Sequence, residues 1–488
     1  MNIFENTKES KIVELLEKAG HQAFFVGGCV RDYLIHKNFV NENDSTSTSK
    51  FEDIDIATSA SPEESKQALY EEFSEFNLVG ERFGVLMVED VEIAQFRSEM
   101  YTSENLGKPE VQPEDSAEQD ASRRDFTMNA LYMNHKGEIF DFNNGLKDIE
   151  SKLVRAVGNA EDRFSEDPSR ILRMFYLASR FGFSIESETL KAAQSKKGLI
   201  KEIPDALVGK IVKKVLSQNK LSQFLFMLNE ADLLETVFPE FKHTLNKKQN
   251  PQYHNSDVFG HTLRVIEHVQ ENHPKNKLLL MAAWMHDIAK GLEGIRAIDE
   301  EGKISDLGHE EAGAPLAEKL CLRLQFGKTF AEEVKFLVRW HGIRFYKGFK
   351  LRSYLKVGRK IAKNCKDKEQ MLTRSSHLIE LMQADAAGFD PEFEKEVLEN
   401  LNSCKEKFLN IIQEEKFFVK ELFLTGKDVI ALWENKSNIK HTGEVLEQLL
   451  LARSANKEVE QKAAERIVKE IESKVIAVWF CNCFFLLT

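Results

Sequence analysis

The sequence predicts an α+β fold, with a mixed sheet and helices in its N-terminal third and mostly helices after that. Short apolar runs alternate with amphipathic stretches up to about residue 156. From about Gly158 nearly to the end, the apolar residues recur at helical spacing. A chain of 488 residues is also long for one domain. We therefore expect several domains, of which the first contains the sheet.

The N-terminal region is expected to begin with an amphipathic helix over Ser10–Gly20. A short apolar run follows, and then Gly27 and Gly28 precede a second helix that starts near Val30. The predicted strands are Ala23–Val26, Ile54–Ala57, Val85–Val88, Glu92–Phe96 and Glu138–Phe142. Two polar stretches, at residues 38–50 and 101–121, are predicted to be mobile loops.

The composition favours a globular protein of a reducing compartment. The chain is 42% hydrophobic and 30% charged, and its six cysteines are scattered without a disulfide framework. The N-terminus enters a charged amphipathic stretch with no signal-peptide pattern, so we expect a cytoplasmic protein. The apolar last fourteen residues are too short to span a bilayer comfortably, and we expect no membrane partner. A buried terminal helix, a partner-binding tail and a sequence artefact all remain open for this segment.

A net charge of −12 requires that any nucleic-acid partner be met by a local concentration of cations. One segment provides it. Residues 339–368 contain eleven Lys and Arg and a single acid, with Phe345, Tyr346, Phe349 and Tyr354 interleaved. This pattern suits phosphates and stacked bases. A solvated helical face combined with core aromatic residues explains it equally well.

The first pattern with chemical content lies at the turn after the predicted strand 23–26. Glycines such as Gly28 let a ligand approach the backbone, and Arg31 is placed to reach a triphosphate from the following helix. Downstream, Asp53 and Asp55 are two apart in a β-type context, which puts both carboxylates on one face. Such a pair suits two Mg²⁺ ions at a nucleotide α-phosphate. Alone, it would more often be a solvated strand edge.

Four motifs decide between these interpretations: GGCVRD, DID, SRRDFTMNAL and EDPSR. Their order and spacing resemble class II CCA-adding enzymes, the bacterial and eukaryotic tRNA nucleotidyltransferases that share ancestry with bacterial poly(A) polymerases. The resemblance implies a polymerase-β-like nucleotidyltransferase sheet. It also implies template-independent addition of CCA to the tRNA 3′ end from CTP and ATP, with release of pyrophosphate, at two Mg²⁺ ions held by Asp53 and Asp55.

The resemblance further implies a set of nucleotide-binding residues. These are Gly27, Gly28, Arg31, Arg124, Asp125, Asp167, Arg170 and Arg173. Arg124 and Asp125 would contact the phosphate or the ribose of the nucleotide. Asp167 and Arg170 would read the Watson–Crick edge of the incoming base, and Arg173 would support them.

The chemistry of Asp167 and Arg170 agrees with this role independently. Residues three apart at a helix start emerge on one face, where a carboxylate accepts from an exocyclic amine and a guanidinium donates to ring acceptors. Taken alone, the pair would be a helical salt bridge. The family usually has a further arginine at the place of Tyr176, and Arg180 one turn later is a candidate substitute.

The segment between Arg97 and Arg123 bears on which nucleotides are added. Family members that add the terminal A have a flexible loop here, and members that add only CC have a deletion. The loop has full length in this chain, which argues against a CC-only enzyme. An A-only tRNA nucleotidyltransferase and a poly(A) polymerase remain alternatives.

A second constellation lies downstream and consists of histidines and aspartates. Its members are His261, His286, Asp287, His309, His341 and Asp385. Imidazoles and carboxylates from several helices can converge on one or two divalent metal ions. A single apolar-face histidine is usually a core residue, but the adjacent histidine and aspartate in an apolar helix would be costly without a cation. The series resembles the HD metal-dependent phosphohydrolase domain, over roughly residues 255–390, and leaves the metal unidentified.

We expect four domains in total. They are a nucleotidyltransferase head at 1–156, a helical neck that binds the nucleotide base and tRNA at 157–246, an HD domain at 247–400 and a helical tail at 401–488. An alternative of another class is an HD phosphohydrolase whose N-terminal half only binds a nucleotide. The intact pair of aspartates argues against this alternative, because a binding module does not need both.

Overall fold

The structure is a computed structural model. It describes residues 7–39, 54–79, 84–101, 109–434, 436–452 and 456–485, with the backbone alone at 436–437 and 474–485. The chain divides into two compact units. One contains the residues up to Lys242 together with Leu320–Phe326, and the other contains His243–Lys319 and the residues from Gly327 onward. No helix in the described ranges has the length and apolar content that a membrane crossing requires.

The first unit contains both strands and helices. In chain order these are α1 (Lys8–Lys18), β1 (Ala23–Val26), α2 (Gly28–Phe39), β2 (Asp55–Thr58), α3 (Pro62–Leu69), β3 (Phe76–Val79), β4 (Val85–Val88), β5 (Val91–Gln95), β6 (Arg97–Met100), β7 (Glu110–Pro113), α4 (Ala117–Ser122), β8 (Leu131–Met133), β9 (Ile139–Asp141), α5 (Gly145–Glu150), β10 (Leu153–Val154), α6 (Ala160–Glu166), α7 (Ser169–Phe181), β11 (Ser184–Ile185), α8 (Ser187–Ser195), α9 (Asp205–Ser217), α10 (Leu221–Glu230) and α11 (Leu234–Val237).

Among the described residues, seven strands form one mixed sheet in the order β3-β4-β5-β2-β1-β8-β9. β2 and β5 are parallel, and the other neighbours are antiparallel. β1 is buried along its whole length, as its sequence AFFV requires of a central strand. Its Phe24 packs against Phe96, Tyr132 and Phe140.

Local sequence explains where several helices begin and end. The side chain of Thr7 accepts a hydrogen bond from the backbone of Ser10 and caps α1. Ser61 and Glu64 form a capping box at α3. Gly182 ends α7 with a φ of +67°, a left-handed conformation that favours glycine.

The predicted loops require one correction. The interpretation of residues 101–121 as a loop is wrong for β7 and α4, because β7 pairs with β6 and α4 buries the side chain of Asp120. Residues 102–108 and most of the other predicted loop, residues 40–50, lie outside the described residues. Strands β3, β6 and β8 were not predicted either, because they are too short or too polar to be distinguished by periodicity.

The second unit is built almost entirely from helices. In chain order its elements are α12 (Val258–Asn272), α13 (Lys277–Met285), β12 (Ala297–Ile298), β13 (Ile304–Ser305), α14 (His309–Arg323, shared with the first unit), α15 (Lys328–Trp340), α16 (Leu351–Ala362), α17 (Lys368–Ala387), α18 (Pro391–Glu414), α19 (Gly426–Ile430), α20 (Thr442–Ala452) and α21 (Lys457–Phe485).

Helix α13 lies in the interior of the second unit, and its residues from Leu279 to Met285 are all buried. It packs against α12, α15 and α17. A helix that is apolar on every side is stable only when other helices surround it. The α+β fold class predicted from the sequence is confirmed, with a mixed sheet near the N-terminus and helices after it.

Candidate functional sites

The turn between β1 and α2 is the centre of the first candidate site. Gly27 has a φ of +72°, and a Cβ at this position would lie 3.4 Å from an Arg124 guanidinium nitrogen and 4.0 Å from a carboxylate oxygen of Asp55. Gly28 begins α2, and a Cβ there would lie 3.5 Å from Arg31. Residues of three separate motifs therefore meet at a backbone turn that has no side chain of its own.

Asp55 is the first residue of β2 and is paired with Val26 of β1 on one side and with Glu92 of β5 on the other. Its partner in the predicted metal pair, Asp53, lies outside the described residues. Burial, with a contribution from the nearby Asp55 carboxylate, raises the pKa of the Cys29 thiol to about 12. Cys29 therefore stays protonated and is not a nucleophile at this turn.

A chain of hydrogen bonds joins two of the motifs. Asn129 accepts from the Arg31 guanidinium at 2.6 Å and donates to Asp125 at 3.0 Å. All three side chains are buried. Arg31 is also paired with its neighbour Asp32 at 2.6 Å, and its guanidinium lies over the ring of Phe181. The orientation of Arg31 is thus determined by groups from three parts of the chain.

Helix α7 contributes two cations to this network. Arg173, which is about half exposed, lies 2.8 Å from the second carboxylate oxygen of Asp125. Burial would raise the pKa of Asp125, but Arg173 and the bond from Asn129 hold it below its usual range. Arg180 forms a 2.7 Å ion pair with Asp32, the residue that also binds Arg31. Arg180, the candidate substitute for the arginine that the family usually has at position 176, therefore lies in the same network as Arg31.

Arg124 is held by a buried carboxylate that the sequence analysis did not select. Asp120 accepts from Arg124 at 2.9 Å, from Arg123 at 2.7 Å and from the Tyr132 hydroxyl at 2.6 Å. Burial would raise the pKa of Asp120, but the two arginines lower it well below its ordinary value. The acid lies in a polar segment, and nothing in the local pattern distinguishes it from a surface residue.

The predicted base-reading residues occupy the junction of α6 and α7. Asp167 accepts a hydrogen bond from the backbone of Ser169 at 2.9 Å. Arg170 is buried and forms ion pairs with Glu166 at 2.9 Å and Glu99 at 3.9 Å. No ion pair among the described residues joins Arg170 to Asp167, so the simple helical salt bridge is not formed.

The predicted specificity segment contacts Arg170 directly. The Arg170 guanidinium donates to the Tyr101 hydroxyl at 3.4 Å and to the backbone carbonyl of Arg123 at 3.2 Å. Glu99 accepts from Tyr101 at 2.6 Å and from Arg123 at 2.5 Å. The two ends of this segment are therefore tied to the side chain that the resemblance assigns to base reading.

The second candidate site is a buried cluster of histidines and aspartates in the second unit. In each of four histidines, Nδ1 lies 2.7–3.0 Å from a backbone carbonyl. These histidines are His261, His286, His309 and His341. A carbonyl can only accept, so Nδ1 donates. When such a ring is neutral, its Nε2 carries a lone pair that is directed into the cluster. This arrangement is typical of metal-ligating histidines.

Asp287 lies between two pairs of these rings. Its Oδ2 is 3.6 Å from His261 and 3.2 Å from His286, and its Oδ1 is 3.2 Å from His309 and 3.8 Å from His341. Within the described parts of the chain this gives two potential metal-ligand groups, each with ligand atoms within 4.8 Å of one another, and both include Asp287. The sixth predicted residue, Asp385, lies 2.9 Å from His261 Nε2.

The cluster needs positive charge. Nε2 atoms face each other at 3.2 Å between His261 and His286 and at 3.3 Å between His309 and His341, where two lone pairs would repel. Burial disfavours protonation of His286, but Asp287 and Asp385 outweigh it and raise its pKa. Both carboxylate oxygens of Asp287 are buried and accept no hydrogen bond from the described residues, although Lys290 lies 2.7 Å from Oδ2. A divalent cation would satisfy all of these groups at once.

A cavity of about 340 Å³ opens beside this cluster. His341 and Asp385 line it, together with His254, whose ring packs edge-on against that of His261. Burial, aided by the neighbouring His261, lowers the pKa of His254 to about 3, so this ring is neutral. His254 was not among the predicted site residues, because it lies in a polar segment that resembles a linker.

Comparison with known families assigns both parts of the chain. Residues 23–155 match the poly A polymerase head domain, and residues 258–387 match the HD domain. The first range contains the glycine turn and Asp55, and the second contains His261 and Asp385. Each candidate site therefore lies within a recognised domain, apart from the residues contributed by α7.

Curated relatives are CCA-adding enzymes. The enzyme of Streptococcus pneumoniae (strain CGSP14) is 38% identical over 203 residues, which cover 41% of this chain and 47% of that protein. The enzyme of Staphylococcus saprophyticus is 33% identical over 267 residues, covering 54% of this chain and 59% of that protein. The chain spans about half the length of the curated relatives it matches.

Solved structures share the fold over nearly the whole chain. The Bacillus stearothermophilus CCA-adding enzyme in complex with CTP matches with a TM-score of 0.58 and 20% identity, covering 95% of this chain and 98% of that one. The Thermotoga maritima CCA-adding enzyme complexed with tRNA matches with a TM-score of 0.54 and 16% identity, covering 94% and 95%. The resemblance to class II CCA-adding enzymes is thus confirmed, and the chain combines a poly A polymerase head domain with an HD domain.

Proposed function

We propose that this protein adds CMP, CMP and AMP to the 3′ end of tRNA from CTP and ATP and releases pyrophosphate. The observation that carries the proposal is the turn at Gly27, where Arg124 and Asp55 both face the space that a side chain would fill. A triphosphate needs such an open backbone approach with cations on one side and metal-binding carboxylates on the other.

The residues at this turn fit a divalent metal. Asp55 offers a hard oxygen ligand at the edge of the turn. Asp53, two residues earlier in the sequence, lies outside the described residues and is the second ligand that we propose. Mg²⁺ is the cation we propose. When bound, it would favour the ionised 3′ hydroxyl of the tRNA and neutralise charge on the leaving pyrophosphate. Arg31 and Arg124, with their directions set by Asn129 and Asp120, would hold the phosphate oxygens.

Base selection is proposed for Asp167 and Arg170. In the described structure the Arg170 guanidinium is engaged by Glu166, Glu99 and Tyr101. Reading a base edge would require part of this set to release it. Glu99 and Tyr101 belong to the segment between Arg97 and Arg123. A movement of that segment would therefore change which N–H groups of the Arg170 guanidinium are free to bind a base. This gives the segment a physical route to the choice between C and A.

The test is a nucleotide-by-nucleotide extension assay. The substrates are tRNAs that end before the CCA, after the first C and after the second C, each with Mg²⁺ and one or both nucleotides. We expect each tRNA to be completed to CCA. If no substrate is extended, the proposed activity is wrong.

CTP supplied alone separates the related activities. Incorporation of two C residues into the tRNA that lacks CCA excludes both an A-only enzyme and a poly(A) polymerase. Extension that requires a tRNA ending in CC would instead identify the A-only enzyme. Repeated addition of A to unrelated RNA would identify the polymerase.

A second function is supported by the cluster around Asp287. We propose that the second unit hydrolyses a phosphoester at a divalent metal centre held by His261, His286, Asp287, His309, His341 and Asp385. The buried carboxylate of Asp287 without a hydrogen bond and the opposed Nε2 atoms support this proposal. The bound metal would supply a hydroxide at neutral pH. The neighbouring cavity would receive the ester, with Arg344 at its wall to bind a phosphate oxygen.

A chromogenic phosphodiester, bis(p-nitrophenyl) phosphate, tests the second function directly. We expect hydrolysis after addition of Mn²⁺, Ni²⁺, Co²⁺ or Mg²⁺ to metal-stripped protein, and loss of hydrolysis when Asp385 is replaced by Asn. Protein that binds none of these metals and hydrolyses nothing would contradict the proposal.

A further inference from the structure

Helix α16 carries an exposed row of cations. Arg352, Lys356, Lys360 and Lys363 are exposed, and their spacing of three and four residues places them along one face of the helix or its C-terminal cap. From Arg352 to Lys360 this row extends over roughly 12 Å at 1.5 Å per residue. We call these four residues the α16 basic row.

The four cations of the α16 basic row differ from their neighbours in their ion pairing. None of its four side chains takes part in an ion pair among the described residues, whereas the nearby Lys347 and Lys368 are paired with Glu399 and Glu421. Like charges four residues apart also weaken a helix slightly, so the row gains nothing from its own neighbours. A polyanion would relieve this repulsion and release its own counterions.

The opposite face of α16 supports the cavity beside the metal-ligand cluster. Tyr354 of α16 is buried and its ring lies 6.3 Å from that of Phe345, which lines the cavity. The next residue, Tyr346, also lines the cavity and is 57% exposed. One helix thus joins a row of cations to a cavity with an exposed aromatic ring and the metal ligands His341 and Asp385.

We propose that the α16 basic row and Tyr346 form a binding surface for single-stranded RNA that leads an RNA end into the cavity. The row contacts backbone phosphates, and Tyr346 stacks on a base at the cavity mouth. This inference rests on the proposed phosphoester hydrolysis and specifies its substrate as a nucleic-acid end rather than a free small ester. Two aromatic residues of the basic segment, Phe345 and Tyr354, are core residues and are not available to stack on an RNA base.

The test measures binding of a fluorescent, unstructured RNA of twelve nucleotides to the full chain by anisotropy, with EDTA present to stop both reactions. We expect the double variant Lys356→Glu/Lys360→Glu to bind about tenfold more weakly at 0.1 M salt. The slope of log K against log salt should fall by about 1.4, because each single-strand phosphate contact contributes about 0.7. Lys356→Arg/Lys360→Arg should bind like the unaltered protein, and Tyr346→Ala should lose about tenfold.

A matched control is Lys275→Glu/Lys303→Glu, which changes the net charge equally at two exposed lysines of the same unit. This control should alter the affinity by less than twofold. Equal affinity of the α16 variant and the control would overturn the proposal. The proposal would also be overturned if the α16 variant lost binding to phosphatidylserine vesicles but bound RNA like the unaltered protein. That result would identify the α16 basic row as a membrane-binding surface.

Failure of this inference is distinguishable from failure of the proposed hydrolysis. Bis(p-nitrophenyl) phosphate needs only the metal centre, so the α16 variant should hydrolyse it at the unaltered rate. If the α16 variant hydrolyses that ester and binds RNA like the unaltered protein, the proposed RNA surface is wrong, while the proposed hydrolysis is not contradicted. Loss of small-ester hydrolysis in the α16 variant would mean that α16 supports the metal centre, and would likewise overturn the proposal.

Discussion

At the scale of single residues, the first site depends on side chains that never need to touch the substrate. Asn129 uses both ends of its amide, accepting from Arg31 and donating to Asp125. A buried amide is suited to this because it bridges a cation and an anion without adding charge. Its loss would leave two buried ionised groups each short of one partner.

Replacing Asn129 by Ala is therefore expected to lower the free energy of unfolding by about 1.5–3 kcal/mol. It should also raise the KM for CTP about tenfold, because Arg31 is no longer oriented. Asn134→Ala is the control, since Asn134 is equally buried but bonds to Glu138 within a hairpin. Denaturant titration and steady-state addition assays measure the two effects. An equal rise of KM in both variants would reduce Asn129 to a structural role.

Asp120 makes the stability of the first unit depend on pH. Its pKa in the folded chain lies well below the value of about 3.9 expected when unfolded. The carboxylate thus stabilises the fold fully above about pH 4, and this contribution is lost as the pH falls towards the folded-state pKa. Asp120→Asn should reduce stability at pH 7.

The difference in unfolding free energy between the unaltered protein and Asp120→Asn should shrink below about pH 4, by up to about 1.4 kcal/mol per pH unit. Urea titrations from pH 7 to pH 2.5 measure this difference. A difference that stays constant over the whole range would mean that the two arginines do not stabilise the ionised form.

At the scale of elements, the β1–α2 turn positions the first site. Gly27→Ala adds a methyl group 3.4 Å from Arg124 in a backbone conformation that disfavours side chains. Gly182 has a similar φ of +67°, but a Cβ there would meet nothing within 4 Å. The two glycines therefore share the same backbone strain and differ in their surroundings.

Both alanine variants should lose about 1–2 kcal/mol of stability. Gly27→Ala should in addition lower kcat/KM for CTP at least about tenfold, whereas Gly182→Ala should leave it nearly unchanged. Thermal unfolding and single-turnover addition measure the two quantities. Equal activity of the two variants would show that the open turn does not admit the triphosphate.

At the scale of the whole molecule, the two candidate sites, around Gly27 and around Asp287, lie in separate compact units. One belongs to the match with the poly A polymerase head domain and the other to the match with the HD domain. If each unit carries its own chemistry, the two activities should be lost independently.

Asp55→Asn should reduce CMP addition by at least about a hundredfold and leave hydrolysis of bis(p-nitrophenyl) phosphate unchanged. Asp287→Asn should do the reverse and should lower the metal content per chain in elemental analysis. Asp115→Asn, at an exposed acid of the head, is the control for the loss of one charge. Loss of both activities in either single variant would mean that the two centres depend on each other.

Local sequence determined much of this protein. Apolar runs identified β1 and β4 at their observed bounds. The motifs selected residues that the structure brings close together, such as Gly27 with Asp55 and Arg124, and His261 with Asp287 and Asp385. The short strand β8 and the strand–helix segment at residues 110–122 were not predicted, because their structure depends on pairing with distant residues rather than on local periodicity. In the basic segment at residues 339–368, the pattern of cations and aromatic residues did not show which aromatic rings face the core. Tyr354 is a core residue, whereas Lys356 is exposed.

The partners of each site residue were decided by the tertiary structure alone. Nothing in the neighbouring sequence marks Asn129, Asp120 and His254 as site residues. A polar residue that will be buried cannot be told from an exposed one by sequence, because its partners come from distant parts of the chain. Arg170 likewise binds Glu166, four residues away, and Glu99 across the fold, but not the aspartate three residues away. The spacing of residues in the sequence specifies which of them share a face of a helix or strand. The partner of a buried charge, however, depends on which groups tertiary packing places beside it, because a buried charge is costly without one.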